Sequence, residues 1–140
     1  MGQRLSSKER RKEILNKSLE IIYEKGFYSL TIRNIAEEID ISEAAVYRHF
    51  KNKKEIIAKL ADKFFCHDEK INDIKESKHS IEKLKDIINI QFKIFANNPL
   101  MTVIIFQEEI FREYPEVWNK FNLHRQKREE VIKKIINEGK

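Results

Sequence analysis

The sequence is poor in the residues that interrupt helices. It contains 3 glycines and 2 prolines in 140 residues, so few positions force a break in a regular helix. Ile, Lys and Glu are the most frequent residues, and Lys and Glu are good helix formers. We therefore predict an all-α protein.

The sequence also lacks the features of disulfide-bonded, secreted and membrane-spanning proteins. The single cysteine, Cys66, excludes an internal disulfide, which is consistent with a reducing compartment. Residues 1–13 contain no apolar segment typical of a signal peptide, and no run of 18 apolar residues could span a bilayer. We expect a cytoplasmic protein with no membrane association.

The sequence also lacks a recognisable catalytic or metal-binding pattern. The four histidines lie at 49, 67, 79 and 124, with no H-x-x-x-H pair, and one cysteine cannot build a zinc site without distant partners. There is no Gly-rich phosphate loop and no nucleophile elbow. We expect no enzymatic activity, no cofactor and no metal.

Positive charge is concentrated in the first part of the chain. Residues 1–60 hold 13 Lys/Arg against 9 Asp/Glu, whereas residues 61–140 hold 15 against 14. A basic segment suits a polyanion, either nucleic acid or an anionic membrane surface. The N-terminal cations Arg4, Lys8, Arg10 and Arg11 form a basic arm, either solvated and frayed or in contact with DNA.

Apolar spacing predicts a succession of helices. They cover 8–25, 32–39, 43–50, 52–68, 81–96, 99–113 and a last stretch from Pro115 onwards. Gly26 is placed to end the first helix, and Thr31, Ser42 and Ser80 are placed as N-caps. Asn98-Pro99 is read as the start of the sixth helix. The polar run 66–80 is the candidate linker between two domains.

The second and third predicted helices form a helix-turn-helix candidate. Ile35, Ala36 and Ile39 supply the small and aliphatic residues that pack one helix on the other. Ala44 and Ala45 are small enough to let the start of the next helix approach base edges in a major groove.

The run TIRNIAEEIDISEAAVYRHFKNKKEI, positions 31–56, closely resembles the signature of the TetR family of transcriptional regulators. The resemblance covers residues 8–60 and implies a three-helix DNA-binding domain over residues 1–60. The family usually has Gly in the turn where this chain has Asp40. Asp tolerates a left-handed backbone better than most residues, so the turn can survive, although its charge should weaken DNA binding slightly.

The resemblance also implies DNA-contacting roles. Glu43 could accept from cytosine or simply favour the helix dipole, and Arg48 could contact a base, contact a phosphate or lie on the surface. Val46 and Phe50 should belong to the core. The implied contacts to bases are Glu43, Ala44, Ala45 and Arg48, and those to the backbone are Thr31, Arg33, Ser42, Tyr47, His49 and Lys53.

For residues 61–140 the resemblance implies part of a helical ligand-binding and dimerisation domain whose C-terminus is truncated. The aromatic residues here could equally be an ordinary core. The candidate effector-pocket residues are Phe92, Phe95, Met101, Phe106, Trp118 and Phe121, with Arg112, His124 or Arg125 available to an acidic head group. The implied partners are a palindromic double-stranded operator, a second copy of the chain and a small apolar or lipid-like effector.

Three interpretations of function therefore remain open. The first is a ligand-responsive repressor, in which an effector moves the helix after the motif and lowers DNA affinity. The second is a DNA-binding regulator of cell division of the nucleoid-occlusion type, which the run SEAAVYRHF also resembles. The third is a helical adaptor with no DNA role.

Overall fold

The computed structural model describes residues 4–65, 74, 79–100, 102 and 108–140. Every regular element in these ranges is helical, which confirms the predicted all-α class. None of the helices among these residues is long and apolar enough to cross a membrane. The elements are α1 (Ser7–Lys25), a 3₁₀ turn (Phe27–Ser29), α2 (Ile32–Glu38), α3 (Glu43–Tyr47), α4 (Lys53–Phe65), α5 (Ser80–Asn97), a second 3₁₀ segment (Glu108–Glu113) and α6 (Pro115–Glu138).

Both ends of α1 are fixed by local chemistry. The Ser6 hydroxyl accepts a hydrogen bond from the Glu9 amide at 3.2 Å, and the Glu9 carboxylate accepts one from the Ser6 amide at 2.8 Å. This capping box satisfies two amides that the first turn leaves without helical partners. Gly26 ends the helix at φ +87° and ψ 164°. Gly was predicted here as a left-handed cap. The φ is positive, but ψ is extended, a combination that essentially only glycine adopts.

The structure divides into two compact units, Met1–Leu60 and Ala61–Lys140. The first unit has a continuous apolar core drawn from α1, α2, α3 and α4. Because all four helices contribute to it, α1 and α4 form the support on which the short α2 and α3 are held. The most deeply buried side chains of this core are Ile14, Leu19, Leu30, Ile35, Val46, Phe50, Ile56, Ile57 and Leu60.

The second unit is built on packing between α5 and α6. Ile87 and Ile135 form its buried centre. Lys83 is also buried on this seam, at 9% exposure, and its ammonium lies 3.0 Å from the carboxylate of Glu138. A buried ammonium needs such a partner, because desolvation without one is costly.

One predicted helix cap in this unit is wrong, and one predicted helix start is confirmed. His79, not Ser80, is the N-cap of α5, because the His79 carbonyl already accepts from the Lys83 amide at 3.0 Å. Asn98 is the C-cap of α5, and its amide donates to the Ile94 carbonyl. The predicted start of the sixth helix at Asn98-Pro99 stays a prediction, because most of the residues that follow lie outside the described ranges. Proline just past a helix end is as favourable as proline at its start, so the sequence pattern was ambiguous. Pro115 does begin α6.

The sixth predicted helix, 99–113, is only partly observed. Pro99 and Leu100 form a turn, and Glu108–Glu113 is a 3₁₀ segment rather than an α-helix. Most of the predicted linker 66–80 lies outside the described residues, as do Cys66 and His67.

Candidate nucleic-acid interface

The turn between α2 and α3 is closed by backbone hydrogen bonds. The Ile41 amide donates to the Ala36 carbonyl at 3.0 Å, and the Asp40 amide donates to the Glu37 carbonyl at 3.3 Å. This pair of bonds is the Schellman arrangement, which requires a left-handed residue after the helix. Asp40 supplies it with φ +54°, so the predicted tolerance of this turn for aspartate is confirmed.

Hydroxyl caps begin both helices of the motif. The Thr31 hydroxyl accepts from the Asn34 amide, and the Ser42 hydroxyl accepts from the Ala45 amide, each at 3.0 Å. Both predicted N-caps are confirmed. A hydroxyl that accepts one hydrogen bond still has a proton to donate, so either cap could donate to a phosphate oxygen. That contact stays a prediction.

Helix α3 has a single buried side chain and an outward face. Val46 is fully buried, and it anchors α3 to the core together with Phe50, so both predicted core positions are confirmed. The helix ends at Tyr47, three residues before the predicted end. Of the positions predicted to contact DNA on this segment, Glu43, Ala44, Tyr47 and Arg48 are exposed, and Ala45 and His49 are half-buried.

His49 sits at the end of this segment in a cationic environment. Its Nδ1 lies 3.4 Å from the Ser7 hydroxyl on α1. Partial burial, followed by the charges of Arg11, Arg10 and Arg48, lowers the pKa of His49 below its ordinary value of 6.5. The imidazole is therefore neutral near pH 7, where it can contact a phosphate as a neutral N–H donor rather than as a cation.

Arg33 lies in α2 and Lys53 begins α4, and their side chains make different contacts. The Arg33 guanidinium pairs with Glu37 at 3.0 Å, and its side chain is 76% exposed. An exposed pair of this kind contributes little stability, so Arg33 can exchange it for a phosphate at low cost. The Lys53 ammonium lies 4.4 Å from the centre of the Phe27 ring, which holds it at the start of α4.

Three of the four cations predicted to form a basic arm lie in the first helix. Helix α1 begins at Ser7, so Lys8, Arg10 and Arg11 are helical, as the predicted helix 8–25 implies, and Arg4 precedes the helix and is exposed. Arg10 pairs with Glu13 at 2.6 Å. Arg11 contacts the segment that follows α3. The helix was predicted to begin at residue 8, and the S-x-x-E spacing of Ser6 and Glu9 is the signal that places its start at Ser7.

In the second unit, three aromatic residues come together. The Phe111 and Phe121 ring centres are 5.9 Å apart, and those of Trp118 and Phe121 are 6.2 Å apart. The Arg112 guanidinium carbon lies 5.4 Å from the Trp118 ring centre. Phe111 was not among the predicted pocket residues. The Tyr114-Pro115 break separates it from Phe121, so the sequence gave no signal that the two rings would meet.

The remaining predicted pocket residues are not brought into this cluster. Phe92 is 68% exposed on α5, and Phe95 is half-buried on the same helix. Met101 and Phe106 lie outside the described residues. Within the ranges that the structure covers, no three His, Cys, Asp or Glu side chains are grouped so that they could hold a metal ion.

The first unit matches a known protein family. Residues 14–60 match the family model described as bacterial regulatory proteins, tetR family. An uncharacterized HTH-type transcriptional regulator of Bacillus subtilis, YerO, is 31% identical over 117 residues, which span 81% of this chain and 40% of that protein. The fatty acid metabolism regulator protein of the same species is 28% identical over 89% of this chain and 61% of its own length. The chain thus spans about half the length of such relatives.

Solved structures show the same fold. The ketosteroid transcriptional regulator KstR2 of Mycobacterium tuberculosis superposes with a TM-score of 0.79 at 22% identity, over 99% of this chain and 70% of that one. The fatty acid degradation regulator FadR of Bacillus halodurans superposes with a TM-score of 0.71 at 21% identity, over 99% of this chain and 70% of that one. The family match covers α2, the turn and α3, so residues 14–60 carry the helix-turn-helix of the TetR family of bacterial regulatory proteins.

Proposed function

We propose that this protein is a sequence-specific DNA-binding transcriptional regulator in which α3 is the recognition helix. The observation that carries the proposal is the α2–turn–α3 unit, which buries Val46 and leaves the opposite face of α3 exposed. A helix anchored on one side and open on the other is what entry into a major groove requires. Family membership of residues 14–60 supports the same function.

The proposed contacts divide into two groups. Base edges are read by the exposed start and middle of α3, where Ala44 and Ala45 allow close approach and Arg48 can donate to guanine. The DNA backbone is held by hydroxyls, a neutral imidazole and cations around the rim. The backbone group consists of Thr31, Arg33, Ser42, Tyr47, His49 and Lys53, and the base group consists of Glu43, Ala44, Ala45 and Arg48.

Tyr47 allows a matched test of this assignment. Tyr47 is 51% exposed on α3, and Tyr23 is 65% exposed on α1. Tyr47→Phe should weaken operator binding by about 1 kcal/mol, because it removes one hydrogen bond to phosphate, while Tyr23→Phe should leave binding unchanged. Fluorescence anisotropy with a selected duplex measures both. Equal affinities for the two variants would show that the Tyr47 hydroxyl does not contact DNA.

We further propose that the protein acts as a homodimer on a palindromic operator, with half-sites about one turn of DNA, roughly 34 Å, apart. In this mechanism an effector bound in the second unit displaces α4 and changes the spacing of the two recognition helices. Such coupling requires the effector to prefer one of the two states. A ligand that binds while operator affinity stays constant would contradict the mechanism.

The proposed effector is an apolar or lipid-like molecule with an acidic group. The cluster of Phe111, Trp118 and Phe121 offers an aromatic surface with Arg112 beside it. Relatives named for fatty acid metabolism and for ketosteroids support this class. Trp118 is the only tryptophan, so its fluorescence reports binding directly.

The effector test compares a long-chain fatty acid with the matching fatty alcohol. The acid should change Trp118 fluorescence, and Arg112→Met should weaken binding of the acid but not that of the alcohol. Lys127→Met, which removes an exposed cation of α6 that is not among the predicted head-group contacts, serves as the control. No response to either ligand would exclude this effector class at the cluster.

A second function is favoured by one comparison. The nucleoid occlusion factor SlmA of Enterobacter sp. is 25% identical over the whole of this chain and 73% of its own length. If this chain restrains cell division from chromosomal sites, its binding sites should be dispersed around the chromosome. A repressor should instead occupy a few promoters. Chromatin immunoprecipitation with sequencing separates these two distributions.

A further inference from the structure

Arg11 connects three parts of the first unit. Its guanidinium donates to the His49 carbonyl, and its central carbon lies 4.3 Å from the Phe50 ring centre. A second guanidinium nitrogen lies 3.9 Å from the Glu55 carboxylate in the first turn of α4. One side chain of α1 thus contacts the segment that leaves α3 and the helix that follows it.

The segment that Arg11 contacts needs an external partner. Helix α3 has five residues, too few to be stable alone. The amides of His49 and Phe50 donate to the Val46 carbonyl at its C-terminal end, and the His49 carbonyl, beyond the helix, accepts from Arg11. The planar guanidinium can stack on Phe50 and donate in its own plane at the same time, which an ammonium group cannot do. The Glu55 carboxylate extends the connection, since it accepts from the Lys51 amide at 2.7 Å.

From these contacts we propose that Arg11 is a positioning residue for DNA binding, which fixes the C-terminal end of α3 against α1 and α4 without touching DNA itself. Tyr47, Arg48 and His49 then project from a rigid segment. This inference rests on the proposed function, because it concerns the orientation of the recognition helix. It differs from the idea of an N-terminal basic arm, in which the same arginine would neutralise a phosphate.

The test uses three variants of the full chain. Arg11→Met removes the guanidinium and keeps most of the alkyl stem, and Arg11→Lys keeps the charge. Arg10→Met removes the neighbouring arginine, whose partner Glu13 lies within α1. Circular dichroism first establishes a temperature at which all three are folded. Operator affinity is then measured over a salt series, and amide hydrogen exchange is measured without DNA.

The proposal predicts a specific combination of results. Arg11→Met should weaken operator binding about tenfold, with the dependence of affinity on salt unchanged. Arg11→Lys should also bind more weakly than wild type, although its charge is intact. The Lys51 amide should exchange faster in both Arg11 variants, whereas Arg10→Met should leave its exchange rate as in wild type.

Other results would overturn it in distinguishable ways. A salt slope reduced by about 0.9 in Arg11→Met indicates that Arg11 itself contacts a phosphate. Wild-type affinity in both Arg11 variants, or unchanged exchange at Lys51, shows that Arg11 does not set the position of this segment. If wild type binds no duplex, the proposed function fails first, and the positioning role falls with it.

Discussion

The backbone at Asp40 provides a sharp test of the turn between the two motif helices. Asp40 has φ +54° and an exposed side chain, so its substitution changes backbone preference more than packing. A left-handed conformation costs an L-residue roughly 1–2 kcal/mol. Glycine avoids this cost but loses about 0.4–1 kcal/mol through the greater freedom of its unfolded chain. Asp40→Gly should therefore be more stable than Asp40→Ala by about 1 kcal/mol.

The same two substitutions at an exposed position of a regular helix should give the opposite order of stability. Lys12 is exposed in the interior of α1, where Gly is less stable than Ala by about 0.8–1.0 kcal/mol. Urea denaturation of the four variants should therefore show Gly above Ala at 40 and below Ala at 12. Asp40→Asn keeps the left-handed tolerance and removes the charge, so it should preserve stability and tighten DNA binding. If Gly and Ala at 40 were equally stable, or ordered as at 12, the left-handed turn would be refuted.

Three further perturbations test separate parts of the structure. Ser42→Ala should destabilise the protein by about 1 kcal/mol, because it removes the cap of α3, and a loss below a few tenths in urea denaturation would exclude the cap. The lowered pKa of His49 means that the unfolded state binds its proton more tightly. The contribution of His49 to the free energy of unfolding should therefore be fully present above pH 6.5 and be lost as the pH drops through the folded pKa. His49→Gln should flatten this dependence, and an unchanged pH profile would contradict the assignment. Lys83→Met should be neutral or stabilising because it removes a buried charge, whereas Glu138→Gln should cost about 1–2 kcal/mol by leaving Lys83 without its carboxylate. The reverse order of stability would contradict the dependence of the buried Lys83 ammonium on the Glu138 carboxylate.

The first unit was largely predictable because its determinants are local. The caps Thr31 and Ser42 and the apolar positions of the second helix follow from side-chain chemistry within a few residues. The conformation of Asp40 followed from the resemblance, because the TetR family usually has Gly at this position and aspartate tolerates a left-handed backbone. Which side chains pair across helices did not follow. Arg11 is 38 residues from the His49 carbonyl that it contacts, and nothing in its own spacing distinguishes it from the neighbouring cations.

The second unit was less predictable, for reasons that particular residues make clear. Asn98-Pro99 has the same chemistry at the end of a helix as at the start of one, so the local pattern could not decide between them. Phe92 and Phe121 are both apolar residues on predicted helices, yet one is 68% exposed and the other 7%. Which of them becomes buried depends on neighbouring helices, and single-sequence periodicity carries no information about those neighbours.

We propose that this chain recognises a DNA sequence through α3. Selection of bound duplexes from a random pool, followed by the affinity of the selected duplex over a salt series, tests this directly. We expect a palindromic sequence, with affinity that falls steeply as salt rises because phosphate contacts release counterions. No enrichment, together with no binding at about 50 mM salt, would contradict it and leave a helical adaptor without a DNA role as the better description.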